Sequence, residues 1–309
     1  MQVATAPSAL PDAEIARLAS HFPARGVVLA DGAVVSVREC GPAAAKGQAG
    51  PVFVCLHGIG SGAASWLDTA LLLADEPGCR VIAWDMPGYG ESTPFALAQP
   101  TAADCALRLA GLLEAMGVER CVLVGHSLGA ITAARAACAD SSIAGRIAQL
   151  VLLSPAIGYG ADGRQAQAER VRAQRLETLA RDGVAGMAAK ADARLLSEHA
   201  GERPRQWVRW NMGRLNPAGY AQAVQLLCGA DVLADLPPAM PAHVACGALD
   251  VVTTPEACAA VARGCGVTLQ QLPQAGHACY VEQPRAVAQL LRDAAATLPM
   301  THNSQKDKA

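Results

Sequence analysis

The residues best suited to do chemistry lie in a short segment bounded by glycines, 125–129, which reads Gly-His-Ser-Leu-Gly. A predicted buried strand, Cys121 to Val124, ends where this segment begins, and a helical pattern, Ala130 to Cys138, follows it. In this context the chain turns sharply, so that the serine hydroxyl projects from the sheet edge. Bulky residues at either glycine would collide with the adjoining strand and helix. The pattern therefore predicts Ser127 as a nucleophile.

A serine hydroxyl is a weak nucleophile at neutral pH, so it needs a base, and the base needs an orienting acid. His277 follows the last predicted strand and precedes the final helix, at the carboxyl edge of a parallel sheet, where ligands bind. Asp250 lies in the loop after the strand His243 to Cys246, from which a carboxylate can reach the imidazole. The chain order serine, acid, histidine is the one that this type of elbow uses. The sequence therefore predicts Ser127, Asp250 and His277 as a catalytic triad.

The loop after the strand Val52 to Leu56 supports two interpretations. In a hydrolase, the backbone N–H groups of Ile59 and Leu128 would bind the oxyanion. Alternatively, residues 58–63 fit the dinucleotide-binding pattern Gly-x-Gly-x-x-Ala, and Asp85 ends the next strand, as a ribose-binding acid would. The dinucleotide hypothesis leaves the serine, the acid and the histidine unexplained, so the hydrolytic interpretation is preferred.

Short apolar runs that alternate with helical patterns predict the scaffold that positions these residues. Such runs are typical of strands buried on both faces, which indicates the α/β class, with a mostly parallel sheet and helices on both faces. Amphipathic spacing predicts helices over Thr101 to Gly117 and after Pro284. The predicted strands are Val34 to Glu39, Val52 to Leu56, Val81 to Trp84, Cys121 to Val124, Leu150 to Leu153, His243 to Cys246 and Val267 to Leu272.

Residues 158–229 contain no convincing buried strand and are interpreted as several helices inserted between two strands. We therefore predict a core domain formed by 1–157 and 230–300, a helical cap of 158–229 and a disordered tail of 301–309. The predicted substrate-pocket residues are His57, Gly58, His126, Trp207, Trp210 and Tyr280, with Ile59 and Met86 as further candidates. The two tryptophans could equally pack the cap onto the core.

Arginine is abundant in the predicted cap. The segment from Gly158 to Tyr220 holds 10 Arg against 7 Asp plus Glu. Because a guanidinium binds a carboxylate through a two-pronged fork, this excess motivates the hypothesis that the substrate carries a carboxylate, with Arg209 and Arg214 as candidates. The alternative is that these arginines lie on solvated helix faces.

The composition excludes several other classes of protein. The chain has 309 residues, 52% hydrophobic and 17% charged, with net charge −2, which is typical of a soluble globular protein and gives no footprint of nucleic-acid binding. No apolar run approaches the roughly 20 residues of a membrane helix, and Met1 to Leu10 does not resemble a secretory signal. The 11 cysteines lack metal-binding spacing and predict reduced, buried thiols in a cytoplasmic protein. No metal or organic cofactor is predicted.

Four blocks of sequence together resemble the α/β-hydrolase fold superfamily, specifically its esterase, lactonase and C–C hydrolase group. The resemblance spans about Val27 to Leu298 and implies an α/β-hydrolase fold, in which the Asp85 block is a structural turn beside the oxyanion loop. At a finer level, residues 216–220, together with Ala230-Asp231, resemble the segment that closes the cap in 3-oxoadipate enol-lactonases. The four blocks are 56–60 (Leu-His-Gly-Ile-Gly), 85–92 (Asp-Met-Pro-Gly-Tyr-Gly-Glu-Ser), 125–129, and Gly276-His277 with Gln283-Pro284.

The predicted function is that of a serine hydrolase that cleaves a carboxylic ester or lactone of a small molecule through an acyl-enzyme. The related lactonases often carry Asn-Ser where this chain has His57-Gly58. C–C hydrolases of aromatic ring-fission products often have Asn where this chain has His126. This difference favours ester or lactone chemistry, and C–C cleavage of a vinylogous diketone is the alternative. A perhydrolase or haloperoxidase side activity and a non-catalytic binding protein are further alternatives.

Overall fold

A computed structural model describes residues 10–42 and 50–296 of the chain. Its centre is one eight-stranded sheet, with spatial order β1-β2-β4-β3-β5-β6-β7-β8 when the strands are numbered along the chain. The pairs β1–β2 and β2–β4 are antiparallel, and the other pairs are parallel, which confirms the mostly parallel sheet. The strands β1 to β8 are Ala24–Val28, Val34–Cys40, Val52–Leu56, Arg80–Trp84, Cys121–His126, Ile147–Leu153, Ala242–Gly247 and Leu269–Leu272.

The strand order reverses at β3, because β4 pairs on one side of it and β5 on the other. The loops that leave the carboxyl ends of β3 and β5 therefore emerge side by side, with Leu56 paired opposite Gly125. Ligands of open parallel sheets bind in the crevice at such a reversal. The topology alone thus brings the predicted oxyanion loop next to Ser127.

Helices cover both faces of the sheet. Along β5, Cys121 and Leu123 pack into the core shared with α3, α4 and α9, whereas Val122 and Val124 pack into the core shared with α2 and α11. This alternation explains why the strand is a continuous apolar run. The helices within the described ranges, α1 to α11, are Asp12–His21, Leu67–Ala74, Ala102–Ala115, Leu128–Ala136, Gln165–Ala189, Ala191–Leu195, Glu202–Met212, Pro217–Gly229, Pro255–Gly264, Cys279–Glu282 and Pro284–Ala296.

Four helices, α5 to α8, connect β6 to β7, and we call them the helical insertion. The longest of them, α5, is interrupted at Gly183, whose φ is 62°. The insertion is tied to the rest of the fold by the N–H of Ala278, which donates to the carbonyl of Leu195 at 2.7 Å. It is also tied by Arg203, which pairs with Glu14 at 3.0 Å and with Asp68. The segment predicted to lack strands is therefore helical and packs against the core.

The sequence did not predict α1 or β1, and it placed the start of the last strand too early. β1 is an edge strand with one buried residue among five, so its sequence carries no alternation. The last strand begins at Leu269, not at Val267, because the N–H of Val267 donates to the carbonyl of Ala262 and closes the end of α9. The predicted tail, 301–309, lies outside the described residues.

The 11 cysteines are free, with Cys265 half-buried and the others buried, as predicted. Burial raises the pKa of the Cys105 thiol to about 12. None of the helices in the described ranges combines the length and the apolar character that crossing a bilayer requires.

Candidate active site

Ser127 lies at the strained turn between β5 and α4. Its backbone φ is 52°, in the left-handed region that residues with a side chain rarely adopt. Its N–H donates to the carbonyl of Leu153 at 3.0 Å, and its carbonyl accepts from the N–H groups of Ala130 and Ala156. Because neighbouring strand and helix hold both backbone groups, the strained conformation persists and the side chain points away from the sheet.

The two glycines of the elbow are required by close packing. A Cβ at Gly125 would lie 2.7 Å from the Cα of Ala130 in α4. A Cβ at Gly129 would lie 2.4 Å from the carbonyl oxygen of Leu56, at the end of β3. Both obstacles are backbone atoms, which cannot rotate away as a side chain could. The predicted steric reason for this pattern is therefore confirmed.

Asp250 and His277 form a buried hydrogen-bonded pair, in loops that follow β7 and β8. His277 Nδ1–H donates to Asp250 Oδ2 at 2.9 Å, and both side chains are almost fully buried. Since Nδ1 carries the proton, the neutral ring leaves the lone pair of Nε2 free to act as a base. His277 and Ser127 both line the same cavity. No direct Ser127–His277 hydrogen bond is present among the described residues; such bonds are often long in unliganded sites.

The Asp250 carboxylate is held by its own loop. Its Oδ1 accepts from the N–H groups of Val252 at 2.8 Å and Thr253 at 3.0 Å. Burial alone would raise the pKa of Asp250. The hydrogen bond and charge of His277 and the two backbone donors outweigh burial and lower this pKa to about 2. The carboxylate therefore stays ionised and orients the imidazole.

Thr253 is a member of the site that the sequence analysis missed. Its hydroxyl lies 2.9 Å from Asp250 Oδ2, 2.9 Å from the carbonyl of Ser154 and 3.1 Å from His277 Nδ1. It also lines the cavity. The sequence signal is a threonine three residues after the predicted acid. An aspartate in a loop often accepts from the backbone N–H groups two and three residues later, which brings the side chain of that later residue close to its carboxylate.

His126, the predicted pocket residue that precedes Ser127, supports the backbone of His277. Its Nε2–H donates to the carbonyl of His277 at 2.9 Å, and the two rings lie 4.8 Å apart. Burial, followed by the charge of His277, lowers the pKa of His126 to about 3. His126 is therefore neutral at physiological pH, and it contacts the cavity.

The predicted oxyanion donors lie on the two loops that the strand reversal brings together. Leu128 begins α4, so its N–H has no partner within the helix. Ile59 lies in the loop after β3, where its carbonyl accepts from the Tyr89 hydroxyl at 2.8 Å. The Ile59 N–H, which belongs to the preceding peptide unit, has no acceptor among the described residues. Gly58, Ile59 and Leu128 all line the cavity.

Asp85, the ribose-binding candidate of the dinucleotide hypothesis, has a structural role. Its Oδ1 accepts from the N–H of Ala63 at 2.8 Å, and its Oδ2 accepts from the Ser36 hydroxyl at 2.8 Å. Its own carbonyl accepts from the Ser92 hydroxyl at 2.6 Å. Because these bonds occupy the carboxylate, Asp85 ties the turn of 85–92 to the loop after β3.

A cavity of about 470 Å³ opens above Ser127, between the carboxyl edge of the sheet and the helical insertion. Its floor includes Ser127, His277 and Tyr280. The Tyr280 ring stacks on Trp66 at 4.1 Å, and its hydroxyl lies 2.8 Å from Ser65 Oγ, so the ring is rigidly placed. The cavity is large enough for a small organic molecule.

Three residues predicted to line the pocket lie outside the cavity lining. His57 is buried beneath the loop, where Nδ1–H donates to the carbonyl of Gly58 and Nε2 accepts from the N–H of Met86. Trp207 is 1% exposed and stacks on Trp210 at 5.2 Å. The two tryptophans pack α7 onto the core, so this part of the pocket prediction is corrected. Met86, the weaker candidate, is also outside the lining.

The arginines proposed to contact a substrate are corrected as well. Arg209 donates to Asp192 from Nε at 2.7 Å and from Nη2 at 2.6 Å, and it is not in the cavity lining. Arg214 lies over the Trp210 ring at 4.7 Å, also away from the cavity. The arginines that line the cavity are Arg175 on α5 and Arg194 on α6. No feature of the sequence separated them from the other arginines of the insertion.

The chain is similar to known hydrolases. A Pseudomonas putida protein, 2-hydroxy-6-oxononadienedioate/2-hydroxy-6-oxononatrienedioate hydrolase 2, is 34% identical over 116 residues, which cover 36% of this chain and 39% of that protein. A thermophilic esterase from Thermogutta terrifontis, solved with malate bound, has TM-score 0.73 and 25% identity, covering 87% of this chain and 97% of that one. The enol-lactonase from Burkholderia xenovorans LB400 has TM-score 0.74 and 20% identity, covering 88% and 100%.

A family-level match spans most of the fold. Residues 53–290 match the Alpha/beta hydrolase family. This range begins in β3, includes the elbow and both loops of the acid–base pair, and ends in α11. Because the match covers well over half of the chain and the fold agrees with that of solved esterases, the chain belongs to the alpha/beta hydrolase family.

Proposed function

We propose that this hydrolase cleaves a carboxylic ester or lactone of a small molecule, with Ser127 as nucleophile, His277 as base and Asp250 as orienting acid. The observation that carries the proposal is the Asp250–His277 hydrogen bond of 2.9 Å, which engages Nδ1 and leaves Nε2 as the nitrogen of this cavity-lining imidazole that is available to take a proton. The strained backbone of Ser127, with φ 52°, supports the same conclusion, since strain of this kind collects at functional sites.

In the proposed first step, the Ser127 hydroxyl attacks the substrate carbonyl carbon while His277 Nε2 takes its proton. The ionised Asp250 stabilises the imidazolium that forms. The N–H groups of Ile59 and Leu128 donate to the oxyanion, at a helix N-terminus whose partial positive charge favours an anion. His277 then returns the proton to the leaving oxygen, which gives the alcohol and an acyl-enzyme.

In the second step, His277 takes a proton from water, whose oxygen attacks the acyl carbon. Collapse of the intermediate releases the carboxylic acid and returns the proton to Ser127. The cavity of about 470 Å³ limits the substrate to a small molecule.

The test is release of 4-nitrophenol from 4-nitrophenyl acetate by wild type and by Ser127→Ala. We expect kcat to fall by about 10⁴-fold or more in the variant, because loss of a nucleophile leaves only oxyanion binding and positioning. Labelling by a fluorophosphonate probe should locate on Ser127 in wild type and disappear in Ser127→Ala. Near-full activity in Ser127→Ala would refute the assignment.

The second candidate is hydrolysis of a C–C bond in a vinylogous diketone by the same residues. The similarity to a hydrolase named for 2-hydroxy-6-oxo dienoic acids, which are enols of such diketones, favours testing it. Wild type is assayed in parallel against simple lactones, methyl esters and a 2-hydroxy-6-oxohexa-2,4-dienoate. Turnover of the dienoate with kcat/KM well above that of every ester and lactone would replace the proposed reaction with this one.

A further inference from the structure

The cavity above Ser127 contains four charged side chains from the helical insertion: Arg175, Asp182, Lys190 and Arg194. Two of these charges are balanced locally. Asp182 accepts from Lys190 Nζ at 3.1 Å and from Arg181 Nε at 2.8 Å. The charges of Arg175 and Arg194 therefore determine the electrostatic character of this side of the cavity.

Neither arginine has a carboxylate partner in the described part of the chain. The hydrogen bond of Arg175 is from Nη1 to the Tyr220 hydroxyl, at a long 3.4 Å. Arg194 has no ion pair or side-chain hydrogen bond among the described residues, and the residue is exposed to solvent while it lines the cavity. Other arginines of the insertion behave differently, since Arg203 and Arg209 each bind a carboxylate through the guanidinium fork.

The surroundings of Arg194 reinforce this difference. Partial burial lowers its pKa, and the positive charge of Arg175 lowers it further. The groups that act in the opposite direction are the phenols of Tyr220 and Tyr159, and no carboxylate is among them. Two guanidinium groups thus line one cavity, and neither is paired with a carboxylate of the described residues, a state that binding of an anion would stabilise.

We propose that Arg175 and Arg194 form a carboxylate subsite, so that the substrate is an ester or lactone that carries a second, ionised carboxyl group; the proposal rests on the proposed hydrolytic function. The subsite lies on the insertion side of the cavity, and the reacting carbonyl lies on the Ser127 side. A small substrate with a carbonyl at one end and a carboxylate at the other fits this division.

Apolar side chains of the insertion also line the cavity and favour a substrate with a short hydrocarbon spacer. They are Val171, Met187, Leu195, Val208 and Leu227. A carboxylate is planar and has two acceptor oxygens, which match the parallel N–H groups of a guanidinium. Dicarboxylic acid monoesters provide both features, and their spacer length can be varied.

The first experiment measures selectivity between monomethyl and dimethyl esters of succinic, glutaric and adipic acid. The monoester carries the free carboxylate, and the diester is its neutral counterpart. We expect wild type to favour the monoester of at least one acid. In Arg175→Met/Arg194→Met, the monoester-to-diester ratio of kcat/KM should fall by about 10- to 100-fold, which corresponds to the typical free energy of a hydrogen bond to a charged group. Arg194→Lys should give an intermediate ratio, because it keeps the charge and loses the fork.

Arg170→Met is the matched control. Arg170 lies on α5, is exposed, and is absent from the cavity lining, so its removal lowers the net charge by one unit outside the site, as each single cavity substitution does within it. Its monoester-to-diester ratio should equal that of wild type. A wild-type ratio that shows no preference, or a preference that the double variant retains, would overturn the proposal.

A binding measurement keeps this test independent of catalysis. In Ser127→Ala, the three monomethyl esters are titrated calorimetrically, with and without Arg175→Met/Arg194→Met. Weaker binding of a monoester in the combined variant supports the subsite even if wild type hydrolyses no ester, which would refute only the proposed function. Binding that is equal in both backgrounds, or absent at millimolar concentration, would overturn the subsite.

Discussion

The two sides of the cavity hold their polar groups in different ways. On the core side, Asp250 accepts from two backbone N–H groups and from His277, and the His277 carbonyl accepts from His126. On the insertion side, Arg175 and Arg194 line the cavity without a carboxylate partner in the described part of the chain. The acid and the base on the first side are oriented by bonds within the protein, whereas we propose that a ligand completes the two arginines on the second side.

Under the proposed function, this difference separates the residues that react from the residues that recognise the substrate. Groups that stabilise a transition state are effective when they need no reorganisation, and loops fixed by β5, β7 and β8 would provide that rigidity. Charges that recognise a substrate lose their value if a neighbour already neutralises them. Substitutions on the core side should therefore alter turnover of all substrates alike, and substitutions at the two cavity arginines should alter selectivity.

Among variants that keep Ser127, the largest effect is expected for Asp250→Asn. An amide has one acceptor oxygen, so it cannot accept both from the N–H groups of Val252 and Thr253 and from His277 Nδ1–H. We expect kcat to fall about 10⁴-fold, as when a triad histidine is left in the wrong tautomer. The monoester-to-diester ratio should stay unchanged, and circular dichroism should show an intact fold. A loss below tenfold, or an altered ratio, would contradict the division between the two sides.

Gly129→Ala tests whether the rigidity of the core side comes from packing. The new Cβ would lie 2.4 Å from the carbonyl oxygen of Leu56, so β3 and α4 must separate. We expect the free energy of unfolding in urea to fall by about 3 kcal/mol, the upper end of typical overpacking costs. Gly145→Ala is the control, since a Cβ there meets no atom within 4 Å, and its effect should be negligible. Equal stability of the two variants would disprove the packing argument.

Arg209→Met tests the insertion side with an arginine that is already paired. Arg209 binds Asp192 through two hydrogen bonds, and Arg205 binds the same carboxylate at 3.4 Å. Because Arg205 remains, we expect a moderate loss of about 1–2 kcal/mol in the free energy of unfolding. The monoester-to-diester ratio should equal that of wild type. A drop in this ratio comparable to that of the cavity double variant would show that selectivity reflects net charge and not the subsite.

A separate prediction is a pH dependence of the free energy of unfolding that originates at His126. Its folded-state pKa of about 3 lies below the usual value of about 6.5, so between these values the unfolded chain binds a proton that the folded chain does not. The stability contributed by neutral His126 is complete above pH 6.5 and is lost as the pH falls toward 3, by up to about 1.4 kcal/mol per pH unit.

The variant His126→Gln can still donate to the His277 carbonyl, because its amide nitrogen lies near the position of the imidazole Nε2, but it does not titrate. Its free energy of unfolding, measured in urea from pH 7 to pH 4.5, should fall less steeply than that of wild type. Parallel curves for the two proteins would mean that other groups account for the acid sensitivity.

The sheet and the candidate site were predictable from sequence to the extent that local constraints define them. Ser127 is recognisable because a strand, a turn and a helix meet within a few residues, and Gly129 must clear Leu56. Asp250 and His277 could be selected by chain order and by their place after strands of a parallel sheet. β1 escaped prediction because one residue of its five is buried, which leaves no periodic signal.

The side chains of the helical insertion were decided by tertiary structure alone. Ten arginines in one segment look alike in sequence, and each long side chain can lie along a solvated face, pair with a neighbour or enter the cavity. Because α5 and α6 dock against the core, Arg175 and Arg194 line the cavity. Trp207 and Trp210 of α7 stack on each other and lie outside the cavity lining. Sequence by itself determined the fold and pointed to the chemistry, because both depend on short-range patterns. The orientation of each helix face, and with it the proposed selectivity, depends on contacts between residues far apart in the chain.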